Sequence, residues 1–349
     1  MRQPWIKNPW FDGLYILAPP FAALMAVLIL PDRFKTTDEM PVVGWVALVL
    51  LVDVAHVYST LFRTYFNNVR FRQQRVLFLL VPIACYIVGV SLHSFNHLLF
   101  WRCLAYLAVF HFIRQQYGFM RIYSRSESSP AWVVGLDTIV IYASTIYPIA
   151  WWHLTPGRHF NWFVDGDFIQ GEFASLKSIA TGLYGVFLLL YVSKEIWFYV
   201  HTRWINWPRN LLIIGTVVSW YFGIVYFNGD LAFTMLNVIS HGIPYLALIW
   251  ASNQSETEVG KTSGNSALLA MASRSWIIFI GMLVLLAYLE EGLWDGFVWR
   301  EHATVFGWFQ ALPALTNELS LALLVPLLAL PQMTHYVLDG FIWRRNHTS

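Results

Sequence analysis

The sequence predicts an all-α fold, a polytopic bundle of membrane-spanning helices that forms a single transmembrane domain over residues 1–349. Hydrophobic residues make up 57% of the chain and charged residues 12%, whereas an ordinary soluble domain has about 25% charged residues. The 18 Trp and 17 Tyr are typical of aromatic rings placed at membrane interfaces. The 22 basic residues are dispersed and the net charge is +2. We therefore expect membrane lipids, and no nucleic acid, as partners.

The apolar runs predict about ten transmembrane helices, because about 17–25 mainly apolar residues cross the hydrocarbon core. Pro19 predicts a kink in the first helix, and Glu290 predicts an early end to the ninth. The polar stretch 152–175 predicts an outer loop, and 252–274 predicts a cytoplasmic loop. The spans lie near residues 14–31, 42–65, 76–92, 97–115, 131–151, 176–199, 208–227, 230–251, 275–293 and 318–342.

The distribution of Lys and Arg predicts the orientation, since cytoplasmic segments carry an excess of both. With a cytoplasmic amino terminus, 16 of the 22 Lys and Arg fall in inner segments. Both termini are then cytoplasmic and the number of spans is even. We expect a multi-pass protein of a bacterial inner membrane. Cys85 and Cys103 lie in apolar runs, so neither a disulfide framework nor a thiolate metal cluster is expected.

Four histidines, each inside a separate apolar run, are the main candidate site residues. They lie on the second, fourth, eighth and tenth predicted spans, which all cross the membrane in the same direction. Each follows the start of its span by 11 to 17 residues, which at about 1.5 Å per residue places all four at a similar depth. An imidazole without a partner is costly in hydrocarbon. We therefore predict that one metal ion is bound by His56, His111, His241 and His335.

Polar residues share helix faces with these histidines, at spacings of three and four residues. A metal-bound histidine usually donates its second ring N–H to such a neighbour, which orients the ring. The predicted orienting residues are Thr60, Arg114, Gln115 and Asn237. The predicted catalytic residues, as proton donors, further ligands or walls of a substrate cavity, are Asp53, Tyr117, Tyr245 and Asp339. Interface anchoring is an equally good interpretation of Arg114, and aromatic packing is the commoner role of the tyrosines.

The donor set limits the metal. Neutral imidazoles with nearby carboxylates and no thiolate suit iron, copper or zinc. We favour non-haem iron, with Asp53 or Asp339 as an additional ligand or orienting group; zinc, copper and haem are alternatives, and zinc would suit hydrolysis. His97 and His111 have the 14-residue spacing of haem ligands in b-type membrane cytochromes. No second helix offers a matching pair, so a single haem on two of the four histidines is the haem alternative.

Two further groups of polar residues have simpler interpretations. His93 and His97 lie at the outer end of the third and fourth spans. We interpret them as ordinary interfacial histidines, and a second metal site is the alternative. Four carboxylates near the predicted membrane boundaries are interpreted as solvated interfacial acids: Asp137, Glu195, Glu290 and Glu291.

These observations lead to one main hypothesis and three alternatives. The main hypothesis is an integral-membrane oxidoreductase whose iron uses dioxygen to cleave, hydroxylate or desaturate a lipophilic substrate, together with an electron donor. The predicted layout resembles, in architecture, the bacterial carotenoid-cleaving membrane oxygenases, in which histidines from several helices bind one iron. The alternatives are a proton- or cation-coupled transporter, a single-haem b-type protein and a scaffold. No Walker loop, dinucleotide fingerprint, GxSxG elbow or HExxH helix occurs.

Overall fold

The computed structural model describes residues 2–127, 129–258 and 267–343, and every regular element in this part of the chain is a helix. Two short helices, Arg33–Thr36 and Asn68–Gln73, and a 3₁₀ turn, Gly307–Ala311, lie in connecting segments. The longer helices are α1 (Pro9–Leu17), α2 (Pro19–Ile29), α3 (Val42–Arg63), α4 (Arg75–Phe95), α5 (His97–Tyr123), α6 (Ala131–His153), α7 (Ala174–Thr202), α8 (Trp207–Tyr226), α9 (Asp230–Glu258), α10 (Ala267–Arg274), α11 (Trp276–Trp299), α12 (Glu318–Leu328) and α13 (Leu330–Ile342).

Seven of these helices are long and apolar enough to cross a membrane, namely α3, α4, α6, α7, α8, α9 and α11. The pairs α1–α2 and α12–α13 are bent by 45° and 41°, and the number rises to nine if each pair is one span. Pro19 and Pro331 begin the second helix of each pair, where the missing N–H of proline allows the bend. The kink predicted at Pro19 is confirmed.

The predicted count of ten is not confirmed, because α5 is not among these spans. It has 27 residues, but its polar side chains, such as Arg102, Arg114 and Gln115, lower its hydropathy. The expected early end of the ninth span at Glu290 is wrong, since α11 continues to Trp299. The cytoplasmic placement of the termini stays a prediction.

The two predicted loops differ in outcome. Residues 154–173 are a loop between α6 and α7, within the predicted outer loop 152–175. The stretch predicted as a cytoplasmic loop, 252–274, is helical through Glu258 and again from Ala267, while residues 259–266 lie outside the described part. Serines, glutamates and alanines are compatible with a helix, so polarity alone was a poor signal for a loop there.

The chain divides into two compact units, and the division falls inside α5 and α9. The first unit comprises residues 1–41 and 112–244, and the second comprises residues 42–111 and 245–349. In the first unit, α6 packs against α7 and α8, and α8 packs against α2. Gly229 lies directly against the backbone of Lys35, where an added Cβ would be 2.4 Å from the carbonyl carbon. This close approach allows Asn228 N–H to donate to the Lys35 carbonyl at 3.0 Å.

The loop of the first unit is organised by Asp167. Its Oδ2 accepts hydrogen bonds from the backbone N–H groups of Trp162, Phe163 and Val164, at 2.6 to 3.3 Å. Burial raises the pKa of this carboxyl to about 6, although the backbone hydrogen bonds act in the opposite direction. The loop is thus a packed turn that closes around one carboxylate.

Buried ion pairs join α6, α7 and α8 in the first unit. Lys194 Nζ lies 2.5 Å from Asp137 Oδ1 and also pairs with Glu195. Arg209 NH1 lies 2.7 Å from Glu127 Oε2 and 3.2 Å from Asp137 Oδ2, and Arg209 also pairs with Glu195. The interpretation of Asp137 and Glu195 as solvated interfacial acids is therefore wrong. Charges cannot remain unpaired in an apolar interior, so this network fixes how the three helices meet.

The second unit is built from α3, α4, α10, α11, α12 and α13, with parts of α5 and α9. An apolar core between α3, α9 and α11 includes Phe62, Ile249, Phe279 and Leu283, all buried. The helix α4 packs against α12 and α13, and Gly89 permits the close approach, because a Cβ there would be 2.9 Å from Pro326 Cβ. Glu290 of α11 is also buried, which corrects its interpretation as a solvated acid.

We expect Arg209 to contribute strongly to the free energy of unfolding through its ion pairs. In Arg209→Ala, Asp137 and Glu195 keep only Lys194 and Glu127 loses its ion pair with Arg209, so we expect the free energy of unfolding to fall by about 3–5 kcal/mol. Unfolding of the purified protein in detergent, followed by circular dichroism, measures the change. Arg121→Ala, at an exposed position of the same unit, is the control and should change stability by less than about 0.5 kcal/mol. Equal effects of the two variants would contradict the assigned role.

Candidate metal centre

Three histidines of the second unit meet in its interior. His56 follows a π-helical stretch of α3, Val46–Val54, a type of segment often found at functional sites because it shifts the helix register. His111 lies in α5 and His335 in α13. Their relative exposures are 0%, 1% and 1%, and the ring nitrogens that they offer lie within 4.8 Å of one another. The second unit thus places three imidazoles around one point that solvent does not reach.

The distance between two of these rings matches the geometry of ligands on a metal ion. His335 Nε2 lies 3.1 Å from His111 Nε2. With metal–nitrogen bonds of about 2.0–2.1 Å, two nitrogens on one ion lie about 2.9 Å apart at a right angle and about 3.3 Å apart at a tetrahedral angle. The observed distance falls between these values. Both rings therefore fit neighbouring positions on a single ion.

Asp339 is the acceptor that orients this pair. The indole Nε1–H of Trp343 and the hydroxyl of Tyr245 both donate to Asp339 Oδ1, each at 2.8 Å. The other oxygen, Oδ2, lies 3.4 Å from Nδ1 of His111. A carboxylate at this distance favours the tautomer of His111 that has its proton on Nδ1, in which Nε2 carries a lone pair.

The same reasoning fixes the tautomer of His335. Tyr245 has one hydroxyl proton and donates it to Asp339, so the hydroxyl of Thr60, 3.3 Å away, must donate to Tyr245. The Thr60 oxygen then accepts from Nδ1 of His335, at 2.6 Å. His335 therefore also presents a lone pair on Nε2. Two lone pairs face each other at 3.1 Å, an arrangement that a cation stabilises.

Asp53 stands in the corresponding place beside the third ring. Its Oδ1 lies 3.7 Å from Nδ1 of His56, one turn along α3. The ring of His56 packs edge-on against that of His335, with centroids 5.0 Å apart. The distance from Asp53 to His56 is longer than a hydrogen bond, so we assign tautomers only to His111 and His335, and the Asp53 carboxylate is a neighbouring oxygen for His56.

His241 belongs to the first unit, three residues before the division in α9. It is 1% exposed and stacks on Phe112, with ring centroids 3.4 Å apart. Gln115 Nε2 donates to the backbone carbonyl of His241 at 2.9 Å, so Gln115 holds the backbone at this position. The chain therefore has four buried histidines that could hold a metal ion, whose identity is not determined: His56, His111, His241 and His335.

Three other predicted site residues have partners in the first unit. Asn237 Nδ2 donates to the Phe233 carbonyl at 2.9 Å, within α9. Arg114 is exposed, donates to the Tyr142 hydroxyl at 2.6 Å and lies 4.9 Å above the ring of Tyr117. Tyr117 in turn stacks on Tyr142. These contacts agree with anchoring and packing, and the orienting or catalytic roles of Asn237, Arg114 and Tyr117 stay predictions.

Trp343 is a site residue that the sequence analysis missed. Its indole donates to Asp339 and lies under the Arg63 guanidinium, 4.4 Å from the ring centroid. The signal was present, because Trp343 continues the face of His335 and Asp339 by one more helical turn. Aromatic residues are so common in this chain, at 17%, that the extra Trp did not stand out.

Comparison of the chain with models of known protein families, with curated proteins and with solved structures finds no match. The resemblance to the carotenoid-cleaving membrane oxygenases is therefore one of predicted architecture alone.

The hydrogen bond from His335 to Thr60 should control metal affinity. Thr60→Val removes the acceptor for Nδ1 of His335, so we expect metal affinity to fall by about 10- to 100-fold. Competition with a chromogenic chelator measures this. Thr64→Val is the matched control, because the Thr64 hydroxyl is also buried, directly after α3, but donates to the backbone carbonyl of Thr60. The same loss in both variants would show a general loss of packing and contradict the orienting role.

Proposed function

We propose that this chain is an integral-membrane metalloenzyme in which the four buried histidines bind one non-haem iron ion. Its reaction is the oxidation of a lipophilic substrate by dioxygen, through cleavage, hydroxylation or desaturation. The observation that carries the proposal is the pair of Nε2 atoms of His111 and His335, 3.1 Å apart, whose Nδ1 atoms both face oxygen partners.

Electrostatics supports a cation at this point. In the tautomers assigned above, the imidazoles of His111 and His335 are neutral. Asp339 accepts hydrogen bonds from Tyr245 and Trp343. Asp53 adds a second carboxylate beside His56. A divalent or trivalent ion held by the histidines would be attracted to both carboxylates.

Ligand chemistry favours iron among the candidate metals. Imidazole nitrogen suits iron, copper and zinc, and the neighbouring carboxylates Asp53 and Asp339 are common partners of non-haem iron. Iron held in this way supplies dioxygen activation toward C–H and C=C bonds. In this proposal His241 completes the ligand set, and zinc and copper are the alternatives that metal analysis separates.

The residues around the histidines have roles of their own. Asp339 holds the tautomer of His111, and Thr60 holds that of His335. Tyr245 is 1% exposed, and its hydroxyl lies within the same hydrogen-bonded chain, which connects Asp339 to Thr60 and His335. The surfaces of α4 and α7 are apolar, with exposed residues such as Leu80 and Leu189, so a substrate dissolved in the bilayer can reach the protein without crossing water.

The electron balance separates the possible oxidations. Hydroxylation inserts one oxygen atom into a C–H bond and reduces the other to water, which requires two electrons and two protons from a donor. Desaturation removes two hydrogens from the substrate and likewise takes two electrons from a donor to reduce dioxygen fully to water. Cleavage of a C=C bond places both oxygen atoms in the products and needs no net external electrons. A separate electron donor is therefore part of the proposal for the first two reactions only.

A haem between His111 and His335 fits this geometry poorly. Two nitrogens on opposite sides of one ion would be separated by about 4 Å at the bond lengths above, and a porphyrin plane would have to lie between the rings. The transporter alternative would use the pairs Asp53–His56 and His335–Asp339 as a proton relay and needs no bound metal.

Metal analysis of the purified protein tests the proposal. We expect about one iron per chain and no Soret band, and a loss of iron in His111→Ala and His335→Ala. His201→Ala is the control, because that ring is exposed and bonds only to the Trp197 carbonyl of its own helix. A Soret band would favour the haem alternative. Wild-type protein that stays metal-free after anaerobic incubation with Fe²⁺ would contradict the proposal.

The oxidation itself requires a separate assay. Iron-loaded protein in lipid nanodiscs should consume dioxygen when a membrane lipid extract and a chemical reductant are added, and mass spectrometry should identify the oxidised lipid. His335→Ala should abolish the reaction. Iron-loaded protein that leaves every extract lipid unchanged would support metal binding and contradict the oxygenase.

A further inference from the structure

The ring of Trp162 connects the loop of the first unit, residues 154–173, to two helices. Trp162 is half-buried, and its backbone N–H donates to Asp167 Oδ2 at 2.9 Å. Its ring packs edge-on against Phe112 of α5 and Phe233 of α9, with centroids 5.1 and 5.7 Å apart. The loop therefore has an aromatic side chain in contact with both helices.

Phe112 lies directly against the face of the His241 imidazole. The two ring centroids are 3.4 Å apart and the ring planes are 8° from parallel, and Phe112 is 4% exposed. A ring stacked this closely can turn within its own plane, but it cannot tilt without colliding with its neighbour. The lone pair of an imidazole nitrogen lies in the plane of the ring. The stack on Phe112 therefore sets the plane in which His241 can meet a metal ion.

The loop that carries Trp162 is itself held in place. Asp167, which is 1% exposed, closes the turn through its hydrogen bonds to backbone N–H groups. Phe160, in the same loop, stacks on Phe233 of α9 with centroids 4.4 Å apart and packs edge-on against Trp152 of α6 with centroids 4.7 Å apart. These contacts fix the loop against α6 and α9, so the position of the Trp162 ring is defined.

We propose that Trp162 is a positioning residue for the metal centre, because it holds the Phe112 ring against His241 and thereby fixes the plane of that imidazole. This role rests on the proposed function, in which His241 is a metal ligand. Trp162 acts through Phe112 and contributes no ligand atom. Its loss should therefore change the geometry at the metal while all four histidines remain.

Titration of Co²⁺ into the metal-free, full-length protein in nanodiscs tests this role, because the visible absorption of Co²⁺ depends on the geometry of its ligands. We expect Trp162→Leu to shift the visible bands and to bind Co²⁺ about tenfold more weakly, since a tilted imidazole is a poorer ligand. Trp162→Phe, which keeps a flat ring, should restore both. Unchanged bands in Trp162→Leu, where His241→Ala changes them, would overturn the role of Trp162 and leave the proposed ligands intact. Unchanged bands in both variants would overturn the role of Trp162 and also remove His241 from the ligand set.

Two further variants separate positioning from general packing. Phe112→Leu should shift the bands as Trp162→Leu does, and the double variant should show no further change, because both substitutions act on one contact. Phe160→Leu is the matched control, since this ring is buried in the same loop but packs on Trp152 and Phe233, and it should leave the bands unchanged. Additive effects in the double variant, or an equal band shift in Phe160→Leu, would overturn the proposal.

Discussion

The centre depends on one carboxylate, Asp339, which accepts hydrogen bonds in the interior of a helical bundle. Because Trp343 and Tyr245 both donate to it, their protons are committed. Thr60 must then donate to Tyr245, and His335 must donate to Thr60. The same carboxylate faces Nδ1 of His111. One acceptor thereby determines where two imidazoles carry their lone pairs, and both lone pairs point at each other.

The two units place buried charge in different ways. In the first unit, Lys194 and Arg209 pair with three carboxylates within one network of ion pairs. In the second unit, Asp339 accepts from Tyr245 and Trp343 and lies next to His111. The first arrangement joins three helices through ion pairs. The second lies beside four buried histidines that could hold a metal ion, and this difference is why we assign a structural role to the first and metal binding to the second.

Much of this organisation follows from the sequence, for physical reasons. Helical periodicity and apolar length locate most spans, and an imidazole in a long apolar run must find a partner, so the meeting of His56, His111 and His335 was predictable. The four-residue spacing of His335 and Asp339 predicted that they share one face of a helix. Spacing along one helix could not show that Thr60 of α3 accepts a hydrogen bond from His335 of α13, since contacts between helices depend on packing.

Other features could not be predicted from the sequence, for related reasons. Asn237 has the right spacing to support His241 yet bonds back to Phe233 within its own helix, a choice that local sequence leaves open. Asp137 and Glu195 resemble solvated acids in sequence because the ion pairs of Asp137 with Lys194, and of both acids with Arg209, join different helices. The helix α5, which contains His111, is also not among the candidate membrane spans. The sequence analysis counted it as an ordinary span because its first half is apolar.

X-ray absorption at the iron K edge of the reconstituted protein tests the central claim most directly. The account predicts a first shell of nitrogens at about 2.1 Å, with the outer-shell scattering of at least three imidazoles, and the loss of one imidazole in His335→Ala. A first shell of oxygen or sulfur without imidazole scattering, or a spectrum that His335→Ala leaves unchanged, would contradict it.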